Sequence, residues 1–208
     1  MTGLSRRILV LAVPVALTGC AGVLGSGAPP PQLYTLTAVP AADFPPNLPR
    51  SKGQLLVEVP VAPGSLDTER IALMRTATTV DYFAGTAWTD RAPVMVQSLL
   101  VESFENTGKI GAIGREGVAL RADYALKPEL RDFTAIYAGA GDTPTIRVRM
   151  GLKLLRMSDR QIVDQRSVEA EEHAQQNSVA AVVDAFNAAL HRAVRDAVAG
   201  TLPALAGS

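Results

Sequence analysis

The sequence predicts an α/β fold of a single domain, in which two main helices pack on a mixed β-sheet in a three-layer-like arrangement. Two long segments repeat apolar residues at helical spacing, and several shorter segments alternate apolar and polar residues as strands do. Their order along the 208 residues is strands, a helix, further strands and a final helix. A doubly wound parallel sheet needs a regular alternation of strands and helices, so this order favours a mixed sheet.

The first part of the domain is predicted to form short strands. In chain order they lie at residues 32–38, 55–61, 66–75, 78–83 and 87–89. The second of them places apolar residues at its odd-numbered positions, from Leu55 to Val61, on one face. Because Gly85 turns the chain, we expect residues 87–89 to pair back against residues 81–83.

The first strong helix is predicted to begin after Asp90 and to stop at Gly108. A carboxylate before a helix accepts the free amide protons of the first turn, so Asp90 is the expected N-cap. Pro93 falls within that turn, where its missing amide proton costs nothing. Apolar residues recur at helical spacing at Val96, Leu99, Leu100 and Phe104.

Three longer strands are predicted next, at residues 122–136, 145–157 and 162–173. We expect the first to be broken near Pro128, since proline cannot donate to a strand ladder. The other two are expected to pair as a hairpin. If Arg149 faces Glu169 and Arg147 faces Glu171, opposite charges on the solvated face help to fix the register.

The chain is predicted to end in a second helix over residues 178–199, capped by Asn177 or Ser178. Its buried stripe is formed by Val179, Val182, Val183, Phe186, Leu190, Val194 and Ala197. We expect Gly200 and Pro203 to end this helix, since both residues disfavour helical continuation.

A short leader precedes the domain. Two arginines in residues 1–7 are followed by an apolar stretch over residues 8–17, a length typical of a secretion signal and too short to span a bilayer. The segment Leu-Thr-Gly-Cys at residues 17–20 resembles the bacterial lipobox. In such proteins the cysteine sulfur receives a diacylglyceryl group, and the cysteine becomes the acylated first residue after cleavage. We therefore expect Cys20 to be the lipidation site.

This interpretation divides the chain into a signal peptide (1–19), a lipidated N-terminus with a Gly- and Pro-rich tether (20–31) and one domain (32–208). Fully extended, the eleven residues after Cys20 reach about 36 Å. The alternative is an ordinary secretory signal, which leaves Cys20 as a free thiol or as half of an intermolecular bridge. Lipidation instead predicts a protein that is anchored to a membrane and does not span it.

Composition argues against several classes of function. The leader holds two of the 20 basic residues, so 18 remain against 20 acidic ones, and no basic arm suggests nucleic-acid binding. Aromatic residues are sparse at 5%, so a stacking platform for sugars or bases is not indicated. With one cysteine and two separated histidines, neither a metal site nor another cofactor is predicted.

No catalytic residue is predicted either. Four glycines between Gly108 and Gly117 follow a helix and precede a strand, the reverse of the order in a phosphate loop, so we expect a helix stop and a tight loop. His173 and His191 have no serine or cysteine motif nearby and are expected on the surface.

Acidic residues offer one further route to catalysis. Asp67, Glu69, Asp81 and Asp90 include the candidates for a carboxylate pair of the glycosidase type. Asp67 is expected to close a local turn, and Asp90 to cap a helix. A lipid-anchored hydrolase would need such a pair or a nucleophile in a pocket, and the sequence supplies neither.

The densest aromatic group is Tyr82, Phe83 and Trp88. Two interpretations are open: these side chains fill the core beside the first helix, or they form a contact surface for a partner or for lipid. Aromatic residues close to turns are often partly exposed, so both interpretations are retained.

Several segments together resemble the ABC-type transport auxiliary lipoprotein family (the PqiC-like group). They are LDTERIALMR at 66–75, DYFAGTAWTDRAPVMVQSLLVESFENTG at 81–108, YTL at 34–36, ADYALKPELRDF at 122–133, the lipobox and the closing helix. The polar run at 75–79 departs from the pattern and leaves the strand boundaries there open. The ordered set covers nearly the whole chain after the leader.

The resemblance implies a non-enzymatic partner of a lipid transport system. Such systems join an ATPase and a permease to a mammalian-cell-entry (MCE) protein in the periplasm. The auxiliary lipoprotein is expected at the outer membrane, facing the periplasm, where it docks the MCE protein. Ala21, after Cys20, is not the aspartate that retains many lipoproteins in the inner membrane. The alternative is an envelope assembly lipoprotein that assists insertion of outer-membrane proteins or lipopolysaccharide.

The expected partners are therefore the MCE-domain protein and the membrane, and a homo-oligomer is also considered. The residues expected to contact the partner are Leu66, Asp67, Arg70, Tyr82, Trp88 and Asp90. Alanine at Tyr82 and at Trp88 is expected to weaken co-purification with the MCE protein while the fold stays intact.

Overall fold

The structure is a computed structural model that describes residues 29–116, 121–139 and 141–207, so the leader and Cys20 lie outside the described residues. The described strands are β1 (Gln32–Tyr34), β2 (Ser51–Val57), β3 (Ala72–Thr76), β4 (Thr79–Tyr82), β5 (Thr86–Trp88), β6 (Ile110–Arg115), β7 (Tyr124–Ile136), β8 (Thr145–Arg156) and β9 (Ile162–His173). The helices are α1 (Ala92–Thr107) and α2 (Val179–Ala206), and a single 3-10 turn lies at Ala41–Asp43.

Strand β7 is the centre of the main sheet. On one side it pairs antiparallel with β8, which pairs antiparallel with β9. On the other side β2 runs parallel to its first residues and β3 runs parallel to its last residues. β6 lies outside β2, and β4 lies outside β3. The sheet is therefore mixed, and the α/β class predicted from the sequence is confirmed.

Both helices cover the same face of this sheet. Alternate residues of β8, from Ile146 to Leu154, are buried on the helix side, whereas Arg149 and Lys153 are exposed on the other side. The two helices also contact each other, and both contact β2. The two helices therefore pack on the mixed sheet within a single domain, as predicted.

The β8–β9 hairpin has the predicted register, with Arg149 opposite Glu169 and Arg147 opposite Glu171. The Arg147 guanidinium binds the Glu171 carboxylate at 2.6 Å, and this hydrogen bond raises the pKa of Arg147 above its usual value. Arg149 pairs instead with Asp132 of β7, at 2.5 Å. The charges of the open face therefore connect three strands rather than two.

Three predictions for the early strands are wrong. β2 ends at Val57, so the valines at 59 and 61 are exposed, although residue 61 still bridges to Glu129 of β7. The segment 66–71 forms turns and not a strand, since the amides of Leu66 and Asp67 both donate to the Pro63 carbonyl. β5 pairs parallel with β1 and not with residues 81–83.

The start of α1 also differs from the prediction. The residue at the N-cap position is Arg91, and no side chain caps the helix. The Asp90 carboxylate accepts a hydrogen bond from the adjacent Arg91 amide at 2.7 Å, not from the first turn. Gly108 does end the helix in a left-handed conformation, with φ at 59°. The glycines at 111 and 114 lie in β6 and not in a loop.

The predicted end of α2 and the predicted break in β7 are wrong as well. α2 begins after Ser178, whose hydroxyl accepts from the Ala181 amide, and it continues through Pro203 to Ala206. Gly200 does not end the helix; the Arg166 guanidinium lies against it and leaves no room for a Cβ. β7 also runs through Pro128 without a break, and its register shift lies between Leu130 and Asp132.

Candidate partner-binding surface

The chain enters the domain beside the predicted contact region. Strand β1 pairs with β5, and the Gln32 amide donates to the Gly85 carbonyl at 2.9 Å. At the other end of this pair, the Thr89 amide donates to the Tyr34 carbonyl at 2.9 Å. The strand that follows the tether is therefore fixed directly to the segment that carries Trp88.

The loop over residues 63–71 is tied to the same segment. The Trp88 amide donates to the Glu69 carbonyl at 2.7 Å, and the Ala92 amide donates to the Thr68 carbonyl at 3.1 Å. These bonds join the loop to β5 and to the first turn of α1. The residues expected to contact a partner are thus brought together from three separate segments of the chain.

Four of the six predicted contact residues are accessible. Both oxygens of Asp67 accept from the Arg91 guanidinium, at 2.7 and 2.9 Å. The Arg70 guanidinium lies 3.6 Å from the centre of the Tyr82 ring, and the Tyr82 hydroxyl donates to the Ser65 carbonyl at 3.2 Å. Asp90 is exposed beside them. We call Asp67, Arg70, Tyr82, Asp90 and Arg91 the 65–91 surface.

The other two residues support this surface from below. Leu66 is 6% exposed and Trp88 is 1% exposed. The Trp88 ring packs edge-on against Phe186 of α2 at 5.3 Å and against Phe133 of β7 at 5.7 Å. Of the two interpretations of the aromatic group, Trp88 therefore belongs to the core, while Tyr82 and Phe83 are partly exposed.

Sequence reasoning missed Arg91. Its ion pair with Asp67 joins residues 24 apart in the chain. The Arg91 side chain is 49% exposed and the Asp67 side chain is 41% exposed. Nothing in the local sequence distinguishes this pair, since Arg91 also follows Asp90 directly. Only the turn at residues 63–67, which folds Asp67 back toward α1, reveals it.

The two histidines each contact a threonine. His173 contacts the Thr145 hydroxyl at 2.9 Å, and His191 contacts the Thr37 carbonyl at 2.9 Å. Among the described residues there is no cluster of three or more His, Cys, Asp or Glu that could hold a metal ion. Within that same part of the chain, no helix is long and apolar enough to cross a membrane.

The fold and the surface together define a class of protein: a single α/β domain whose N-terminal strand is fixed to a polar, aromatic surface. The family model of the ABC-type transport auxiliary lipoprotein component matches residues 34–198. The chain belongs to this family, as its sequence motifs predicted. The family description implies a role in ABC-type transport and an association with the membranes of the cell envelope.

Individual proteins resemble this chain to different degrees. Protein XCC0632 from Xanthomonas campestris is 31% identical in sequence to this chain. Its crystal structure superposes with a TM-score of 0.75 and covers 83% of this chain and 94% of that one. The Chlamydia trachomatis protein CT253 is only 9% identical, but a TM-score of 0.52 over 76% of this chain and 100% of that one shows the same fold.

A relative from Bradyrhizobium diazoefficiens, the uncharacterized protein bll6063, is 31% identical over 191 residues. These residues are 91% of this chain and 50% of the relative, so the chain spans about half the length of that protein.

Proposed function

We propose that this chain is a lipoprotein, anchored through Cys20 at the outer membrane, that docks the MCE-type periplasmic protein of its transport system. Family membership supports the transport role. The lipobox-like segment before Cys20 supports the anchor, and the alanine after Cys20 favours the outer membrane. In this role the domain offers a surface to a partner and performs no chemistry.

The observation that carries the proposal is the position of the 65–91 surface beside the entry of the chain. Because Gln32 binds Gly85 directly, the tether ends next to the segment that bears this surface. An eleven-residue tether reaches at most about 36 Å. A partner bound at the 65–91 surface is thus held within a few nanometres of the bilayer.

The chemistry of this surface suits a protein partner. Tyrosine and arginine are the residue types that contribute most at interfaces, and here the Arg70 guanidinium is already stacked on the Tyr82 ring. The buried side chains of Leu66 and Trp88 anchor the backbone that carries Arg70 and Tyr82. The stacked pair therefore loses little conformational freedom when a partner binds.

Replacing Arg70 with glutamate is expected to reduce co-purification with the MCE-domain protein at least tenfold. The substitution removes the stacked cation and places a like charge near Asp67, and a lost charge-assisted contact is worth about 1.5–3 kcal/mol. Affinity would be measured by co-purification from detergent-solubilised membranes. The melting temperature should change little, because Arg70 is exposed.

The matched control is Arg160→Glu, which changes net charge equally on the exposed β8–β9 turn. Equal co-purification of both variants would remove the 65–91 surface from the proposal. Recovery of outer-membrane assembly factors in place of transport components would favour the assembly lipoprotein instead.

A further inference from the structure

A concave site lies where β7 begins, away from the 65–91 surface. It is a pocket of about 730 Å³ where the start of β2, the residues before β7, the end of β8 and the last turn of α2 meet. The Ser51 hydroxyl donates to the Leu205 carbonyl at 3.0 Å, and Tyr124 of β7 pairs with Arg156 of β8. Regular elements therefore build this pocket.

Four cationic side chains line this pocket: Arg50, Lys52, Arg121 and Arg156. Arg50 and Lys52 are two residues apart on extended chain, so their side chains leave the same side of it. One carboxylate, Asp123, also lines the pocket, and one of its oxygens accepts from the Gln54 amide at 2.9 Å. We call this site the cationic pocket.

Two of the four positive charges remain once the carboxylates of Asp123 and Asp159 are counted. Arg156 pairs with Asp159 at 3.1 Å, and Arg50 donates to the Gly108 carbonyl at 3.0 Å. Lys52 and Arg121 form no ion pair with any residue in the described part of the chain. Cations gathered in a concave site repel one another and raise the local concentration of anions. This excess stands out in a chain with equal numbers of basic and acidic residues.

The C-terminal end of α2 explains only part of this arrangement. A helix end carries the equivalent of about half a negative charge, which favours nearby cations. The four cations less the Asp123 and Asp159 carboxylates leave a net charge of about +2, which still exceeds the helix-end charge several-fold. The Leu205 carbonyl at this helix end already accepts from Ser51. The helix end therefore does not account for all of the positive charge in the pocket.

We propose that the cationic pocket binds a phosphate ester, the group that both anionic phospholipid headgroups and small phosphorylated metabolites present. A guanidinium group can donate two parallel hydrogen bonds to a phosphate group, and a lysine ammonium adds a compact positive charge. The volume lies in the range of about 300–1,000 Å³ that is typical of ligand sites, so it holds more than a bare phosphate. Met157, 39% exposed, supplies an apolar contact for hydrocarbon atoms of the ester. This inference rests on the pocket alone and not on the docking proposal.

The test is a calorimetric titration of the full chain, kept in a nonionic detergent. The probes are short-chain phosphatidylglycerol, glycerol 3-phosphate and inorganic phosphate. Lys52→Gln is expected to raise the Kd of the bound probe about tenfold, the effect of one lost charge-assisted hydrogen bond. The matched control, Lys153→Gln, removes an exposed lysine from the open face of the sheet and should change the Kd less than about twofold.

The three probes separate the sources of the phosphate. Tighter binding of phosphatidylglycerol than of glycerol 3-phosphate supports the site and identifies a lipid headgroup as its ligand. Equal binding of the two supports the site with a soluble ligand. If none of the probes binds saturably, or if Lys153→Gln weakens binding as much as Lys52→Gln, the proposal is overturned.

Discussion

Replacing Trp88 with alanine is expected to lower the free energy of unfolding by about 3–5 kcal/mol. Trp88 is 1% exposed and joins three elements, because its ring contacts Phe133 of β7 and Phe186 of α2. Those two phenylalanines also pack together, at 4.9 Å. Truncation leaves a cavity at this junction, and the melting temperature should fall by roughly 6–20 °C.

Two controls separate this effect from a change at the surface. Trp88→Phe keeps an aromatic ring in the cluster and should lose less than half as much stability. Asp90→Ala removes an exposed side chain two residues away and should change stability by no more than about 0.5 kcal/mol. A chemical denaturation curve measures all three variants. A loss below 1 kcal/mol for Trp88→Ala would show that this cluster does not hold the fold together.

The expectation that alanine at Trp88 leaves the fold intact is therefore corrected by its burial. Of the two alanine variants considered from the sequence, only Tyr82→Ala tests the surface, because the Tyr82 ring is partly exposed under Arg70. Any loss of partner binding in Trp88→Ala would be indirect.

Replacing Cys20 with serine is expected to move the protein from the membrane fraction to the soluble fraction. Serine lacks the sulfur that would carry the diacylglyceryl group. Each buried methylene contributes about 0.8 kcal/mol, so even ten of them contribute about 8 kcal/mol. That corresponds to roughly a millionfold difference in partitioning.

Cell fractionation, together with the intact mass of the purified protein, measures this effect. Ser26→Ala, a substitution in the tether that keeps Cys20, is the control and should remain in the membrane fraction. A native product with an unmodified Cys20 would contradict the anchor, whatever its fold.

The β8–β9 hairpin shows what the sequence predicts well. Five alternating apolar residues from Ile146 to Leu154 determine which face of β8 is buried, and opposite charges determine its register with β9. Both signals are local and repeat along the strand, so they reinforce each other. The apolar stripe of α2 was predictable for the same reason.

Elements that depend on distant contacts were not predictable. α2 continues past Gly200 and Pro203 because Leu202 and Leu205 are buried and because Ser51 of β2 binds the Leu205 carbonyl. β5 pairs with β1, more than fifty residues earlier, rather than with its neighbour in sequence. In both cases tertiary packing outweighs local propensity.

The candidate site was predicted by region but not by role. The segment 66–90 was singled out by its resemblance to the family, and four of its six named residues form an accessible surface. Burial of Trp88 depends on contacts with α2 and β7, which lie far along the chain. The cationic pocket could not be predicted from the sequence, because its four cations are separated by up to about a hundred residues. They are Arg50, Lys52, Arg121 and Arg156.

The most direct test of the account is photo-crosslinking in intact cells. A photoreactive residue replaces Asp90 on the 65–91 surface, which leaves the Arg70–Tyr82 pair in place, and a second strain carries it at Gln161 on the exposed β8–β9 turn. Mass spectrometry then identifies the adducts. We predict an adduct with the MCE-domain protein from position 90 and none from position 161. Adducts from position 90 that contain only proteins outside the transport system would contradict the docking role.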